Sequence, residues 1–273
     1  MADDLSAPLV KAALKSRFGE FVRYFDEIDS TNREALDWAA CGAPEGSLVV
    51  ADHQTGGRGR WGRSWFSAPG QLLQFSLILR PNIEPTRHGA LTAGLGVATA
   101  RAVRALTGLP VEVKWPNDVV IEGRKLAGML VESTMMGSTI DAAICGIGIN
   151  VHLQNEEIPE ELVDRATSIA IELQRTGTGT APPRALLLSR VVSEIEARYA
   201  GMTGDTGLLL AEATEMSAVL GHDVVIRAAD GSTIEGRAEG FDPHGALRIS
   251  SNGKETVVHV GEIEQLRTSD GGR

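Results

Sequence analysis

Residues 111–131 read Val-Glu-Val-Lys-Trp-Pro-Asn-Asp-Val-Val-Ile-Glu-Gly-Arg-Lys-Leu-Ala-Gly-Met-Leu-Val. Val111, Val113 and Trp115 alternate with Glu112 and Lys114, the two-residue period of a strand, and Pro116 stops it because proline donates no ladder hydrogen bond. The runs 119–121 and 125–131 then flank Glu122-Gly123-Arg124, and a glycine turn between such runs predicts a hairpin. Outward from this hairpin, a further strand is expected over 142–151. Upstream, Leu73, Phe75, Leu77 and Leu79 alternate with Gln74, Ser76 and Ile78 until Pro81, and another strand is expected near 47–51.

Helices fall between these strands. Leu91, Leu95, Ala98, Ala102, Ala105 and Leu106 stand at helical spacing over 89–107, as do Leu187, Leu188, Val191, Ile195 and Tyr199 over 183–200. A third helix is expected from Asp29. Thr31 and Glu34 have capping-box spacing, Ala35, Leu36, Ala39 and Ala40 form an apolar face, and Gly42 with Pro44 ends it. Hairpins interleaved with helices predict an α+β fold, a mixed, largely antiparallel sheet backed by helices. From about residue 216 the pattern changes. Short apolar runs at 224–226, 234–238, 246–249 and 256–260, separated by Asp230-Gly231, Pro243-His244-Gly245 and Asn252-Gly253, predict four strands of a small β-barrel. The expected organisation is a flanking segment over 1–28, with Leu9, Leu14, Phe18 and Phe21 packing as a short helix, a main domain over 29–215 and a barrel over 216–268.

Composition narrows the function. With 26 basic and 36 acidic residues among 273, the net charge of −10 opposes general nucleic-acid binding, and 28 residues ahead of Asp29 leave no room for a DNA-binding module. Two cysteines without a CxxC pair provide neither a disulfide framework nor a zinc knuckle, which fits a reducing cytoplasm. An acidic start without a signal-peptide pattern, and no apolar run of membrane-spanning length, predict a protein that is neither exported nor membrane-bound. Six scattered histidines and the absence of GxSxG leave metallohydrolase and serine-hydrolase readings without support.

Chemistry concentrates in a few stretches. Residues 56–65, Gly-Gly-Arg-Gly-Arg-Trp-Gly-Arg-Ser-Trp, hold four glycines and three arginines, so backbone amides and forked guanidinium donors can surround an anion. Gly57 to Ser64 nearly spells a P-loop, but Pro69-Gly70 and a period-two strand follow where a P-loop requires a helix. Lys114-Trp115-Pro116-Asn117-Asp118 aims polar groups from a strand end, with Asp118 able to meet Mg²⁺ and Lys114 a polyphosphate, although Pro-Asn-Asp is also ordinary turn chemistry. The turn after it returns Lys125 toward the same sheet end. Gly146 and Gly148 leave one strand face bare, which suits either a flat ligand or a bulge, and Asn150 follows on that face.

Taken in order, Asp29-Ser30-Thr31-Asn32, Gln54-Thr55-Gly56-Gly57-Arg58-Gly59-Arg60, Lys114-Trp115-Pro116-Asn117-Asp118, Arg124-Lys125-Leu126-Ala127-Gly128 and Gly146-Ile147-Gly148-Ile149-Asn150 closely resemble the motif series of the biotin protein ligases. The resemblance implies a class II synthetase-like catalytic domain with an SH3-like C-terminal barrel. It further implies formation of biotinyl-5′-AMP from biotin and ATP with Mg²⁺, then transfer to a lysine of a biotin carboxyl carrier protein domain. It assigns biotin to Ser30, Thr31, Asn32, Gln54, Gly57, Arg58, Gly59, Arg60, Lys125, Gly128, Gly146 and Gly148, and ATP to Arg60, Arg63, Trp65, Lys114, Asn117, Asp118 and Asn150. Lys125 and Arg58 carry the catalytic roles, Trp65 stacks on adenine, and Asp118 is the Mg²⁺ candidate. Many bacterial members begin with a winged helix, and the series here starts too early in the chain for one, so DNA binding is not expected. Alternatives are a lipoate or octanoate ligase or transferase of the same superfamily, in which the combined GRGR, KWPND and RKLAG series is absent, and a P-loop-like nucleotide-binding regulator. Oligomeric state stays open.

Overall fold

The computed structural model describes residues 4–228 and 231–267. Asp230 of the expected turn, residue 268 at the expected barrel end and the first three residues lie outside them. The chain begins with helix α1 (Ala7–Ala13), strand β1 (Val22–Ile28) and helix α2 (Thr31–Ala40), followed by β2 (Leu48–Gln54) and β3 (Leu72–Leu79). Helix α3 (His88–Thr107) leads to β4 (Glu112–Lys114), β5 (Asp118–Ile121), β6 (Arg124–Met136) and β7 (Thr139–Asn150). Helices α4 (Ile169–Thr176), α5 (Arg184–Thr203) and α6 (Gly207–Glu215) precede strands β8 (Asp223–Ala228), β9 (Thr233–Phe241), β10 (Leu247–Ser251), β11 (Lys254–Val258) and β12 (Gly261–Arg267).

Seven strands form one sheet in the order β1-β2-β3-β7-β6-β5-β4. Only β1 and β2 pair in parallel, so the sheet is mixed and largely antiparallel. The period of β3 explains how the sheet is covered. Leu73, Phe75, Leu77 and Leu79 pack in the main core with Leu91 and Leu95 of α3 and Leu187 and Leu188 of α5, while Ile78 joins Ala35 and Ala39 of α2 on the opposite face. All eight β3 residues are buried, so Gln74 and Ser76 are polar groups withdrawn from water and must be hydrogen-bonded.

The first 28 residues are part of this unit. Strand β1 is the sheet's edge, Leu14 and Phe18 are buried in the main core, and Leu9 and Phe21 stay exposed, so the boundary drawn at Asp29 falls inside a packed layer. The capping box also differs from expectation. Ser30 is the N-cap of α2 without a side-chain cap bond, Thr31 Oγ1 donates to Gln54 Oε1 at 3.1 Å, and Glu34 pairs with Arg23. Arg184, almost fully buried at the start of α5, lies between Asp4 at 2.6 Å and Asp52 at 2.5 Å, and His152 meets Asp4 at 2.7 Å. This cluster fastens the N-terminal segment to β2 and α5, and Asp52 also accepts from the Gly70 amide.

The second sheet has the order β11-β10-β9-β8-β12 and wraps its own core of Val224, Ile226, Leu247, Ile249, Val258 and Ile263, as expected for an SH3-like unit. It has a fifth strand beyond the expected four. In β12 the residues Glu262, Glu264 and Gln265 leave little apolar signal, but Ile263 is buried opposite Ile226. Trp115 of the main sheet inserts into this second core, and its Nε1 donates to Gly245 O at 3.3 Å. Gly89 of α3 lies so close to the Gly245 turn that a Cβ at Gly245 would sit 2.6 Å from Gly89 C. The barrel is therefore seated on the same strand end that carries Lys114-Trp115-Pro116-Asn117-Asp118.

Candidate active site

The face of β6 and β7 that carries Gly128, Gly146 and Gly148 forms the floor of a cavity of about 400 Å³, within the usual range for a small-molecule site. At one end α2 places Ser30, Thr31 and Asn32 against the buried polar residues of β3. Gln54 accepts from the Thr31 amide at 2.8 Å and donates to Gln74 at 2.9 Å, and Gln74 donates to Ser67 at 2.8 Å. Ser76 Oγ donates to Asn32 Oδ1 at 2.6 Å and stands 2.8 Å from Thr31 Oγ1, and Asn32 Nδ2 donates to Glu132 at 2.7 Å. Such a chain of paired donors and acceptors holds each side chain in one orientation. It is suited to a flat, hydrogen-bonding ligand head.

The two glycines of β7 serve two neighbours. A Cβ at Gly146 would overlap the Asn32 side chain, with Cγ at 2.9 Å, and one at Gly148 would lie 2.5 Å from Cε2 of Trp65. Gly148 pairs across the ladder with Gly128, whose Cβ would meet Lys125 Cε at 2.9 Å and the Trp65 ring at 3.1 Å. The bare floor thus seats the Trp65 indole. Its Nε1 is buried without a partner among the described residues.

The glycine-rich stretch folds back on itself as a small hairpin. Gly59 N donates to Arg63 O at 2.7 Å and Trp65 N to Gly57 O at 2.9 Å, with Trp61 at φ 56° turning the tip. No helix follows it, which removes the P-loop reading. Arg58 approaches Glu132 at 3.4 Å. Arg60 donates to Asn117 Oδ1 and to Gly261 O of the barrel, each at 3.1 Å, and Arg63 pairs with Glu262 of the barrel at 2.7 Å. Burial pushes the Arg60 guanidinium below its ordinary pKa, with Glu262 and Asp118 opposing, but arginine stays charged.

Across the cavity, the β5–β6 hairpin brings Lys125 Nζ to 2.7 Å from Asp118 Oδ1 and 5.5 Å from the Trp65 ring centroid. Asn117 accepts from Arg60 through Oδ1 and donates to Met129 O at 3.0 Å through Nδ2, so its amide is oriented by the arginine hairpin and by β6. Asn150 is buried and donates to Thr167 O at 2.8 Å. Lys114 lines the cavity. Of the residues assigned to biotin or ATP, Gly57 alone does not line the cavity. It is buried behind it, and a Cβ there would meet Trp65 O at 3.2 Å.

Several lining residues had no sequence signal. Glu262 and Ile263 arrive from the barrel, and Glu132, which holds Asn32 and Arg58 without itself lining the cavity, stands on β6 as an ordinary half-exposed acid. The wall of Leu153, Ile158, Pro159, Leu162 and Arg165 comes from an irregular segment whose one legible cue was Ser168, the α4 N-cap that accepts from Ile171 N. Among the described residues no group of three histidine, cysteine, aspartate or glutamate side chains is placed to hold a metal.

Residues 24–150 match the model of the biotin/lipoate A/B protein ligase family. The chain is 32% identical over 276 residues to a biotin–acetyl-CoA-carboxylase ligase of Mycobacterium tuberculosis, covering 97% of this chain and 98% of the relative. It is 36% identical over 264 residues to the bifunctional ligase/repressor BirA of Bacillus spizizenii, covering 95% and 79%. Among solved structures, the Aquifex aeolicus biotin protein ligase in complex with biotin and ATP superposes with a TM-score of 0.76 at 30% identity, covering 92% of this chain and all of that one.

Proposed function

The chain belongs to the biotin/lipoate A/B protein ligase family, as a biotin–protein ligase enzyme, and we propose that its cavity joins biotin to ATP as biotinyl-5′-AMP and then passes the biotinyl group to a lysine of a carrier domain. The carrying observation is the position of Lys125. Its ammonium pairs with Asp118 at 2.7 Å and lies 5.5 Å from the Trp65 ring centroid, in the cavity that Ser30, Thr31, Asn32, Arg58, Arg60 and Arg63 also line.

Two anions must meet in this reaction, a carboxylate and a triphosphate, and no protein nucleophile is needed. Catalysis then rests on positioning and charge neutralisation. In this assignment Thr31, Asn32 and Gln54 hold the ureido head. Arg58, Arg60 and Arg63 leave their protein carboxylate and carbonyl partners to clamp the substrates' anionic groups. Lys125 leaves Asp118 for the carboxylate and α-phosphate, where negative charge gathers as the bond forms. Trp65 stacks on adenine and gives its unpartnered Nε1–H a ligand acceptor. Asn150 binds on the nucleotide side. Gly57 acts by letting the hairpin close over Gln54, without touching ligand.

Mg²⁺ would arrive with ATP. One carboxylate, Asp118, suits an ion held mainly by phosphates and water, and would not make a resident site by itself. The carrier domain would approach the mouth near Lys114 and the arginine hairpin. We assign the adenylation chemistry to residues before 216 and take the barrel over 216–268 as a lid partner through Gly261 and Glu262. Two free cysteines, Cys41 exposed and Cys145 buried, are consistent with a reducing cytoplasm, and no described helix is long and apolar enough to cross a membrane.

Incubation with ATP, Mg²⁺, biotin and a biotin carrier domain is expected to add one biotinyl mass to the carrier. A carrier that gains lipoyl or octanoyl mass instead, under matched conditions, overturns the assignment.

A further inference from the structure

Glu172 of α4 is a fully buried carboxylate that lies outside the cavity and that the reaction above does not use. A charge removed from water persists only when it is paired and hydrogen-bonded. Glu172 meets that demand on both oxygens. Arg124 Nη2 reaches Oε1 at 2.7 Å, Thr167 Oγ1 donates to the same oxygen, and Arg175 Nε reaches Oε2 at 2.9 Å.

These partners touch the site from two directions. Arg124 immediately precedes Lys125 on β6. Lys125 N donates to Arg165 O at 2.7 Å, and Thr167 N donates to Lys125 O at 2.9 Å, so residues 165–167 run beside the lysine as a short added strand. Thr167 O in turn accepts the Asn150 amide at 2.8 Å. One carboxylate therefore ties the start of β6, the 165–167 segment and the end of β7 together, and the two cavity residues at those ends are Lys125 and Asn150.

We propose that Glu172 is a positioning residue for adenylate formation, fixing the Lys125 backbone through Arg124 and Thr167 and setting which end of the Asn150 amide faces the nucleotide. The proposal rests on the assignment of Lys125 and Asn150 to the ATP side of the reaction. The biotin-head network of Ser30, Thr31, Asn32, Gln54 and Ser76 shares no bond with Glu172, so its geometry is independent of this strut.

The test compares Glu172→Gln and Arg124→Gln with Lys125→Ala in the full chain, measuring pyrophosphate release against ATP, biotin affinity by calorimetry, and thermal melting. Glutamine keeps the size of Glu172 but not the charge that holds two guanidinium groups. Both glutamine variants are expected to lose about tenfold or more in kcat, with a raised KM for ATP and unchanged biotin affinity. Their double mutant is expected to be no worse than the poorer single one, because they cut one connection. Wild-type kinetics in both, beside an inactive Lys125→Ala, removes the positioning role and leaves Lys125 in place. An active Lys125→Ala overturns the assignment beneath it. A joint fall in biotin affinity, ATP use and melting temperature reduces Glu172 to a packing residue. If Glu172→Gln does not fold, Arg124→Gln decides by the same readouts, since it leaves Glu172 with Arg175 and Thr167.

Discussion

Replacing Gly148 with alanine separates stability from activity. The added methyl would lie 2.5 Å from Cε2, 2.6 Å from Cζ2 and 2.8 Å from Nε1 of Trp65. Carbon atoms rest at roughly 3.5–4.0 Å, so the indole must withdraw by about 1 Å into the cavity. The strand itself does not resist the change, because Gly148 lies within β7 and has no positive φ. Alanine also restricts the unfolded chain, worth about 0.4–1 kcal/mol in favour of folding, which offsets part of the overlap. Melting is expected to stay close to that of the wild type. A displaced adenine platform is a different matter, since a misplacement of about 1 Å can cost on the order of 10²-fold, about 2.7 kcal/mol of transition-state stabilisation. Pyrophosphate release with saturating biotin and varied ATP should show this loss in kcat/KM for ATP. Gly146→Ala provides the contrast: its methyl pushes Asn32, whose bonds run to Ser76 and Glu132, so the damage should fall on biotin affinity. A folded Gly148→Ala enzyme within twofold of wild type for ATP would refute the reasoning, as would the two variants showing the same substrate pattern.

Lys125→Ala is expected to keep its melting temperature and to lose at least about 10² in adenylate formation, as removal of one charged transition-state contact typically does; pyrophosphate release near wild type would remove it from the mechanism. At Asp4, burial acts to raise the pKa, but hydrogen bonds from His152 and Arg184 outweigh it and hold the carboxyl well below its ordinary 3.8. The folded state then binds that proton less readily than the unfolded one, so the pairing stabilises above about pH 4 and fades as the pH falls below it. Asp4→Asn should melt below wild type at neutral pH, with the gap starting to narrow only below about pH 4 and much of it remaining at about pH 3; a gap independent of pH would show that the charge plays no part. Specific DNA binding by this chain is not expected, because its net charge is −10 and Arg58, Arg60 and Arg63 face Glu132, Asn117 and Glu262. A gel shift that is saturable, depends on biotinyl-5′-AMP and survives competitor DNA would contradict this.

Local periodicity made β3, β6 and β7 readable, because a strand with one face on a core must alternate and Leu73, Phe75, Leu77 and Leu79 do so in the chain itself. The chemistry of the arginine hairpin, the β5–β6 turn and the glycine strand was readable for a similar reason: each motif concentrates its groups within a few consecutive residues. Strand β1 was not, since Arg23, Asp26 and Glu27 on an exposed edge mask its period, and its partner β2 is fixed only by parallel pairing across α2. The sequence alone thus determined the α+β class, the strand and helix pattern and the residue types gathered for two anions. Only the tertiary structure decided that Trp115 fills the barrel core, that Glu262 meets Arg63 across 199 positions of chain, that Gly148 exists to seat Trp65, and that Glu172 braces Lys125. The physical reason is that a side chain's partner is set by which surfaces pack together, and burial then rewards only those pairings that satisfy its charge or hydrogen bonds, a condition no local pattern of residues encodes.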